Sequence, residues 1–275
     1  MASPPPPSQS AITPPDSTAM PHATPFDIPV PQVAFQAAAH ADDGKTHILL
    51  AATGSVASIK IPLILSALAA YSNTSVRLVL TTASLLFLPP LNELAKIPNL
   101  DGIHLDQHEW PTSLYSDAAP TAPSVVAAAA AQSIPQTSIW SKVGDPILHI
   151  ELRRWADILL VAPLSANSLA KVVNGFSDNL LLSVIRAWDI AKPIAVAPAM
   201  NTMMWDHPIT KTQIRMLEED WTWFKVLRPV EKTLACGDSG SGAMKEWSDI
   251  VKWLAEAMQL KPLEPVRRKR SQERL

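Results

Sequence analysis

Three side chains occupy settings where a proton or a hydrogen bond could be exchanged with a ligand: His149, Asn201 and Cys236. His149 lies in Leu148-His149-Ile150-Glu151-Leu152-Arg153-Arg154-Trp155, just before an apolar run. An imidazole titrates near neutrality and can act as general base or acid. A histidine among apolar residues is also a common core or capping group, and the local sequence leaves both readings open. Asn201 closes Pro198-Ala199-Met200-Asn201 after a second apolar run. Its amide can donate to a carboxylate or cap a helix beginning at Thr202. Cys236, the only cysteine, sits in a stretch where three of the eight glycines (Gly237, Gly240 and Gly242) fall within six residues. That composition reads as a mobile flap able to approach a ligand closely, carrying a thiol that can give up a proton. A small buried hydrophobe is the alternative for the cysteine.

Other polar groups cluster in loops. Gly54-Ser55-Val56-Ala57-Ser58 follows an apolar run and opens a helical pattern, so its backbone N–H groups and the helix dipole suit a phosphate. It lacks the three-glycine dinucleotide fingerprint and the Gly-Lys-Ser/Thr of a P-loop. A mononucleotide phosphate is the functional reading, and an ordinary strand-to-helix turn is the structural one. Thr81, Thr82 and Ser84 add hydroxyls after the next strand, and Ser165, Asn167 and Ser168 after a third, where a ring or ribityl chain would lie. His104 and His108 have i, i+4 spacing but no evident third metal ligand, and are expected in an ordinary surface loop.

These loops need strands and helices to hold them. Thr46–Ala52, Val76–Leu80, Asp157–Ala162, Ile194–Ala197 and Trp223–Leu227 read as five strands, alternating with helical patterns over Val56–Tyr71, from Ser84, through Val173 and over Glu246–Met258. Apolar strands alternating with helices imply an α/β fold with a parallel sheet covered on both faces. Such sheets bind ligands beyond the carboxyl ends of their strands, which is where the loops after Ala52, Leu80, Ala162 and Ala197 fall.

Composition bounds the rest. The chain has 275 residues and 26 prolines, ten of them in the first 31 residues. Residues 1–44 therefore read as a disordered Pro-rich tail, 45–260 as the folded domain, 117–138 as a low-complexity Ala-rich insert and 261–275 as a basic tail. One cysteine permits no internal disulfide and no zinc-finger spacing is present. No apolar run approaches the roughly 18 residues that span a bilayer, and the start lacks a signal-peptide pattern. A formal net charge of −2 offers no general attraction to nucleic acid. A cytoplasmic protein without nucleic-acid or membrane partners is expected, with nuclear access as the reading of Arg267-Arg268-Lys269-Arg270 that competes with a solvated end. The 17% charged content is low and hints at surfaces buried between subunits.

Taken in order, Gly54-Ser55-Val56-Ala57, Leu148 through Asp157, Ala162-Pro163-Leu164-Ser165-Ala166-Asn167, Pro198-Ala199-Met200-Asn201-Thr202 and Ala235-Cys236-Gly237-Asp238 resemble the homo-oligomeric flavin-containing cysteine decarboxylases, and among them the phosphopantothenoylcysteine decarboxylase family. The resemblance runs from about Thr46 to Met258, outside the Ala-rich insert. It implies a flavodoxin-like doubly wound subunit, a homotrimer, and FMN held between subunits by Gly54, Ser55 and Val56, by Thr82, Ala83 and Ser84, and by Ser165, Ala166, Asn167 and Ser168, with Ala199 near the ring. It further implies decarboxylation of 4'-phosphopantothenoyl-L-cysteine to 4'-phosphopantetheine in coenzyme A biosynthesis, through thioaldehyde and enethiol intermediates. Asn201, Met204 and Ala235 would bind substrate, His149 would serve oxidation and decarboxylation, and Cys236 would protonate the enethiol.

A reading from another class also attaches to this resemblance. Fungal relatives include inhibitory subunits of a Ser/Thr protein phosphatase, and some relatives supply only part of a heterotrimeric decarboxylase with a paralogous subunit. Those inhibitors carry a long acidic C-terminal tail, whereas this chain ends in basic residues. His149, Asn201 and Cys236 also all occur in one chain, which favours the enzyme. Thr233 stands where a basic residue is expected near the substrate phosphate, and Lys232 is the nearest substitute.

Overall fold

The computed structural model describes residues 35–109, 142–233 and 239–263. Strands β1 (Thr46–Ala52), β2 (Thr74–Leu80), β3 (Leu100–Leu105), β4 (Ile158–Leu164), β5 (Ile194–Pro198) and β6 (Phe224–Val226) form one parallel sheet in the order β3-β2-β1-β4-β5-β6. Without β3 this is the flavodoxin order 2-1-3-4-5, so the expected doubly wound sheet is present with an added edge strand beside β2. The order reverses between β1 and β4, and the loops that leave those two strands flank the reversal.

Each central strand is buried on both faces, because helices cover both. Ile48, Leu50, Leu78, Leu160 and Ala195 point to one side, where α1 (Ile61–Leu68), α2 (Leu91–Leu94) and the C-terminal helix (Trp247–Ala257) pack. Leu49, Ala51, Val79, Val161 and Val196 point to the other. They meet α3 (Leu148–Trp155), α4 (Ala166–Val173), α5 (Leu180–Arg186) and α7 (Pro208–Arg215), while the short α6 (Thr202–Asp206) lies between β5 and α7. The alternation follows from the period-two geometry of a strand. Truncating any of the fully buried leucines to alanine is worth about 2–5 kcal/mol. The C-terminal helix, α8, closes the chain.

Four sequence expectations change. The helical pattern from Val56 begins as a 3-10 turn, Val56–Lys60, and becomes α-helical only at Ile61. Pro62 lacks the N–H that an earlier α-helical start would use, and it fits the first turn. Strand β3 was not expected, because Asp101, Gly102 and His104 interrupt its apolar character. The tail assigned to residues 1–44 ends sooner, since Phe35 is buried and Ala37–His40 form a 3-10 turn. The Phe35 ring centroid lies 3.7 Å from the Arg77 guanidinium carbon, and the Ala37 N–H donates to Glu151 Oε2 at 2.8 Å. At the other end, the Leu263 N–H donates to the Ala70 carbonyl, so residues 261–263 belong to the folded unit. The remainder of both tails and the 117–138 insert lie outside the described residues. Among the described residues no helix is long and apolar enough to cross a membrane.

Candidate functional site

The loops at the sheet's switch point are tied by one hydroxyl. Thr53, fully buried at the end of β1, donates through Oγ1 to the Pro163 carbonyl at 3.0 Å and accepts from the Ser165 N–H at 2.7 Å. Its backbone N–H also donates to the Pro163 carbonyl, and Ser58 Oγ donates back to the Thr53 carbonyl. The two loops are thereby held in register. Gly54 follows at the narrowest point: a Cβ there would lie 2.7 Å from the Ala83 Cβ, so the loop after β1 touches the loop after β2 only because residue 54 has no side chain. Ser55 caps the next turn, its Oγ accepting from the Ala57 N–H. Ser165 caps α4 by accepting from the Ser168 N–H.

Beyond these strand ends lies a cleft of about 590 Å³. Its lining includes the polar loop residues Gly54, Ser55, Ser165, Asn167 and Asn201 and the apolar Val56, Phe87, Ala199, Met200, Met244 and Trp247. Ala166, Met204 and Gly242 also line it, as do Lys60, Lys245 and Glu246. Asn201 Oδ1 accepts from the N–H groups of Met203 and Met204, so the amide caps α6. The capping reading of Asn201 is realised, and the same bonds fix the amide's orientation at the cleft wall.

The described residues on either side of Cys236 are strands. Strands β7 (Val230–Thr233) and β8 (Ser239–Ala243) pair antiparallel as a hairpin stem. Its backbone leans on the loop carrying Asn201: the Met200 N–H donates to the Gly242 carbonyl at 2.9 Å, and a Cβ on Gly242, whose φ is +125°, would meet the Met200 carbonyl oxygen at 2.5 Å. Ala235 and Cys236 lie outside the described residues, between the two strands of this stem.

Other expected site residues are placed differently. Thr82, Ala83, Ser84 and Ser168 are not among the cleft-lining residues. Ser84 is fully buried and donates to the Thr81 carbonyl at 2.7 Å, while Ser168 Oγ accepts from Ser165 Oγ. Both hydroxyls thus take part in closing their own loops, a use that their residue type did not announce. Thr82 Oγ1 donates to Asp106 Oδ2 at 3.5 Å. Burial raises the Asp106 carboxyl above its ordinary range, against the opposing hydrogen bonds from Leu180 and Thr82.

His149 stands in the first turn of α3 and does not line the cleft. Its Nδ1 is 2.5 Å from Glu109 Oε1, and its backbone N–H donates to Glu109 Oε2 at 3.1 Å. His104 and His108 are buried, not in a surface loop as expected. The His104 ring is 3.3 Å from Arg77 Nη1, and His108 Nδ1 accepts from the Leu105 N–H. Burial, then the charges of Arg77 and His108, hold His104 well below 6.5, and burial pushes His108 down to about 4. Both are core groups; no cluster of three metal-ligating side chains exists among the described residues.

Residue types alone did not single out Thr53, Glu109, Phe87 or Trp247. Thr53 was detectable only as the polar residue ending an apolar strand before a glycine. Glu109 carried no local signal, since its partner is 40 residues away.

The cleft fits a flavin mononucleotide. Its volume lies in the range of small-molecule sites, its Met200, Met244 and Trp247 side chains suit a flat ring, and its serine and asparagine residues supply donors for polar substituents. Gly54, which lines the cleft, lets the loop after β1 close against the Ala83 side chain, where a Cβ would lie 2.7 Å from the Ala83 Cβ.

Known proteins share this arrangement. The family model described as Flavoprotein matches residues 36–259. A phosphopantothenoylcysteine decarboxylase of Arabidopsis thaliana is 43% identical over 206 residues, covering 75% of this chain and 82% of that protein. A probable thymidylate synthase of Schizosaccharomyces pombe is 41% identical over 218 residues, but the match spans 79% of this chain and only 30% of that protein. Among solved structures, a cysteine-to-serine mutant of PPC decarboxylase complexed with pantothenoylaminoethenethiol superposes with a TM-score of 0.63 and 40% identity, covering 78% of this chain and 99% of that one. The FMN binding protein AtHal3 superposes with a TM-score of 0.61 and 40% identity, covering 78% and 97%.

Proposed function

The chain belongs to the flavoprotein family, and from that footing we propose that it is an FMN-dependent decarboxylase converting 4'-phosphopantothenoyl-L-cysteine to 4'-phosphopantetheine in coenzyme A biosynthesis. The observation that carries this reading is the cleft at the switch point, lined by Gly54, Ser55, Ser165 and Asn167 together with Ala199, Asn201 and Met204. The first four residues have the character of a mononucleotide site. Asn201 adds an amide beside apolar side chains, which suits a small acid with an extended tail.

FMN, when bound, supplies a two-electron sink and later returns the pair, so that a cysteine carboxylate passes through a thioaldehyde able to lose CO2 and then an enethiol. The residues bind, orient and move protons. The Thr53 hydroxyl holds the loops after β1 and β4 at one spacing, which sets the cofactor's polar contacts before it arrives. Asn201, its amide fixed by the cap of α6, binds the substrate carboxylate, and Met204 covers the same end. His149 handles the proton released when the thiol is oxidised. Cys236, with Ala235 beside it in the substrate pocket, gives a proton to the enethiol carbon; general acid–base groups of this kind contribute about 10²–10⁴-fold. An ethenethiol held by a decarboxylase relative that has serine for a cysteine supports this order of events.

We further propose a homotrimer with the site shared between subunits. His149 is absent from the cleft of its own chain, and the cleft residues Val56, Ile59 and Met204 are exposed, as are Leu63 and Met203 close to them in sequence. An apolar surface of this kind marks a protein contact, and a neighbouring subunit would bring its His149 to the cleft. A cytoplasmic location is part of the proposal, on the sequence grounds given. The test is direct: the purified protein should be yellow, release FMN on denaturation, and sediment at three times its 29.8 kDa chain mass. A colourless monomer that leaves phosphopantothenoylcysteine unchanged after FMN is added would overturn it.

A further inference from the structure

Glu109 is a carboxylate with only 3% of its surface exposed. A buried carboxylate is tolerated where its oxygens are hydrogen-bonded. Among the described residues both partners belong to one residue: Oε1 lies 2.5 Å from His149 Nδ1, and Oε2 accepts from the His149 backbone N–H at 3.1 Å. The grip spans the turn after β3 and the first turn of α3. It also places negative charge at that helix's N-terminus, where the dipole favours it.

Several neighbouring groups are engaged elsewhere among the described residues. Beside Glu109, Asp106 accepts from the Leu180 N–H and from Thr82, and His108 accepts from the Leu105 N–H. On α3, Glu151 pairs with Arg154 at 2.9 Å and also accepts from the Ala37 N–H. Arg153 Nε has no hydrogen-bond partner among the described residues. Among the described residues the ring of His149 meets one carboxylate, which is aligned by a second bond to the His149 backbone.

We propose that Glu109 is the positioning residue for His149. A carboxylate oxygen only accepts, so the ring places its hydrogen on Nδ1 and carries the lone pair on Nε2. The backbone bond prevents the carboxylate from turning away, so ring orientation and tautomer are set together. Nε2 is then the nitrogen that takes a proton during oxidation of the substrate thiol, and the carboxylate stabilises the imidazolium that results. This role rests on the decarboxylase reading for its chemistry, but the tautomer does not depend on it.

The test uses the full-length, FMN-loaded protein labelled with 15N-histidine, and the variants Glu109→Gln and Glu109→Asp. In the unmodified protein the His149 signals, assigned by their loss in His149→Asn, should report a single Nδ1–H form. In Glu109→Gln, where an amide NH2 faces the His149 N–H, a mixture of forms should appear. The rate of flavin bleaching by phosphopantothenoylcysteine under anaerobic conditions should fall by about 10²–10⁴-fold, with KM changed far less and bound FMN retained. Glu109→Asp, which keeps a carboxylate, should recover part of the rate. An Nε2–H form in the unmodified protein, or an unchanged bleaching rate in Glu109→Gln, would overturn the role. If the unmodified protein shows the Nδ1–H form but no bleaching at all, the decarboxylase reading fails while the positioning of His149 stands.

Discussion

Thr53 Oγ1 accepts from the Ser165 N–H at 2.7 Å, joining two loops 112 residues apart in sequence at the point where the strand order reverses. The same hydroxyl donates to the Pro163 carbonyl, so one buried side chain serves a donor and an acceptor at once. Thr53→Val keeps the volume and removes both bonds. The buried Ser165 N–H is then left unpaired, at a cost of about 1–3 kcal/mol. Urea denaturation should show that loss, and fluorescence titration should show weaker FMN binding, with Thr53→Ser close to the original in both.

The hairpin stem meets the Asn201 loop at Gly242, which combines a φ of +125° with a carbonyl 2.5 Å from where a Cβ would stand. Gly242→Ala should separate β8 from Met200 and disturb the cap that orients Asn201. The expected outcome is a KM for substrate raised at least about tenfold, a loss of roughly 1.4 kcal/mol in binding, while FMN content falls less, because its polar contacts come from the loops after β1 and β4. Steady-state kinetics beside flavin absorbance would check the separation.

Acid should unfold the protein through its buried histidines. His108 titrates near 6.5 when unfolded and at about 4 when folded, and burial holds His104 down as well. Between pH 6.5 and 4 the unfolded chain binds protons that the fold does not. Stability is therefore complete above pH 6.5 and falls as pH drops through that window, by about 1.4 kcal/mol per pH unit for each such histidine. His108→Asn, whose side-chain oxygen can still accept from the Leu105 N–H, should flatten the slope by that amount in denaturation series at several pH values.

Much of this architecture was legible in the residues. Strands β1, β4 and β5 are continuous apolar runs because both faces are covered, and the loops that follow them carry Ser55, Ser165 and Asn201 to one cleft. Strand β3 was not legible: Asp101 and Gly102 obscure it, and its burial is confined to Ile103, His104 and Leu105. The domain's start was hidden for a related reason, since Phe35 stands in a proline-rich context and gains its place only by packing against Arg77 and Trp155. Residue type alone could not separate cap from ligand at Asn201, nor show that the Ser84 and Ser168 hydroxyls turn inward. Pairings such as Glu109 with His149 exist only in three dimensions, because no local pattern links residues on different elements.

The most direct test of the central claim pairs the unmodified protein with Cys236→Ser, each loaded with FMN and mixed anaerobically with phosphopantothenoylcysteine while CO2, flavin absorbance and product mass are followed. The unmodified protein should release CO2 and yield 4'-phosphopantetheine with its flavin reoxidised. Cys236→Ser should release CO2 once, keep its flavin bleached, and hold a product two hydrogens lighter than the thiol. Substrate left intact by the unmodified protein would contradict the account, and normal turnover by Cys236→Ser would remove the cysteine from it.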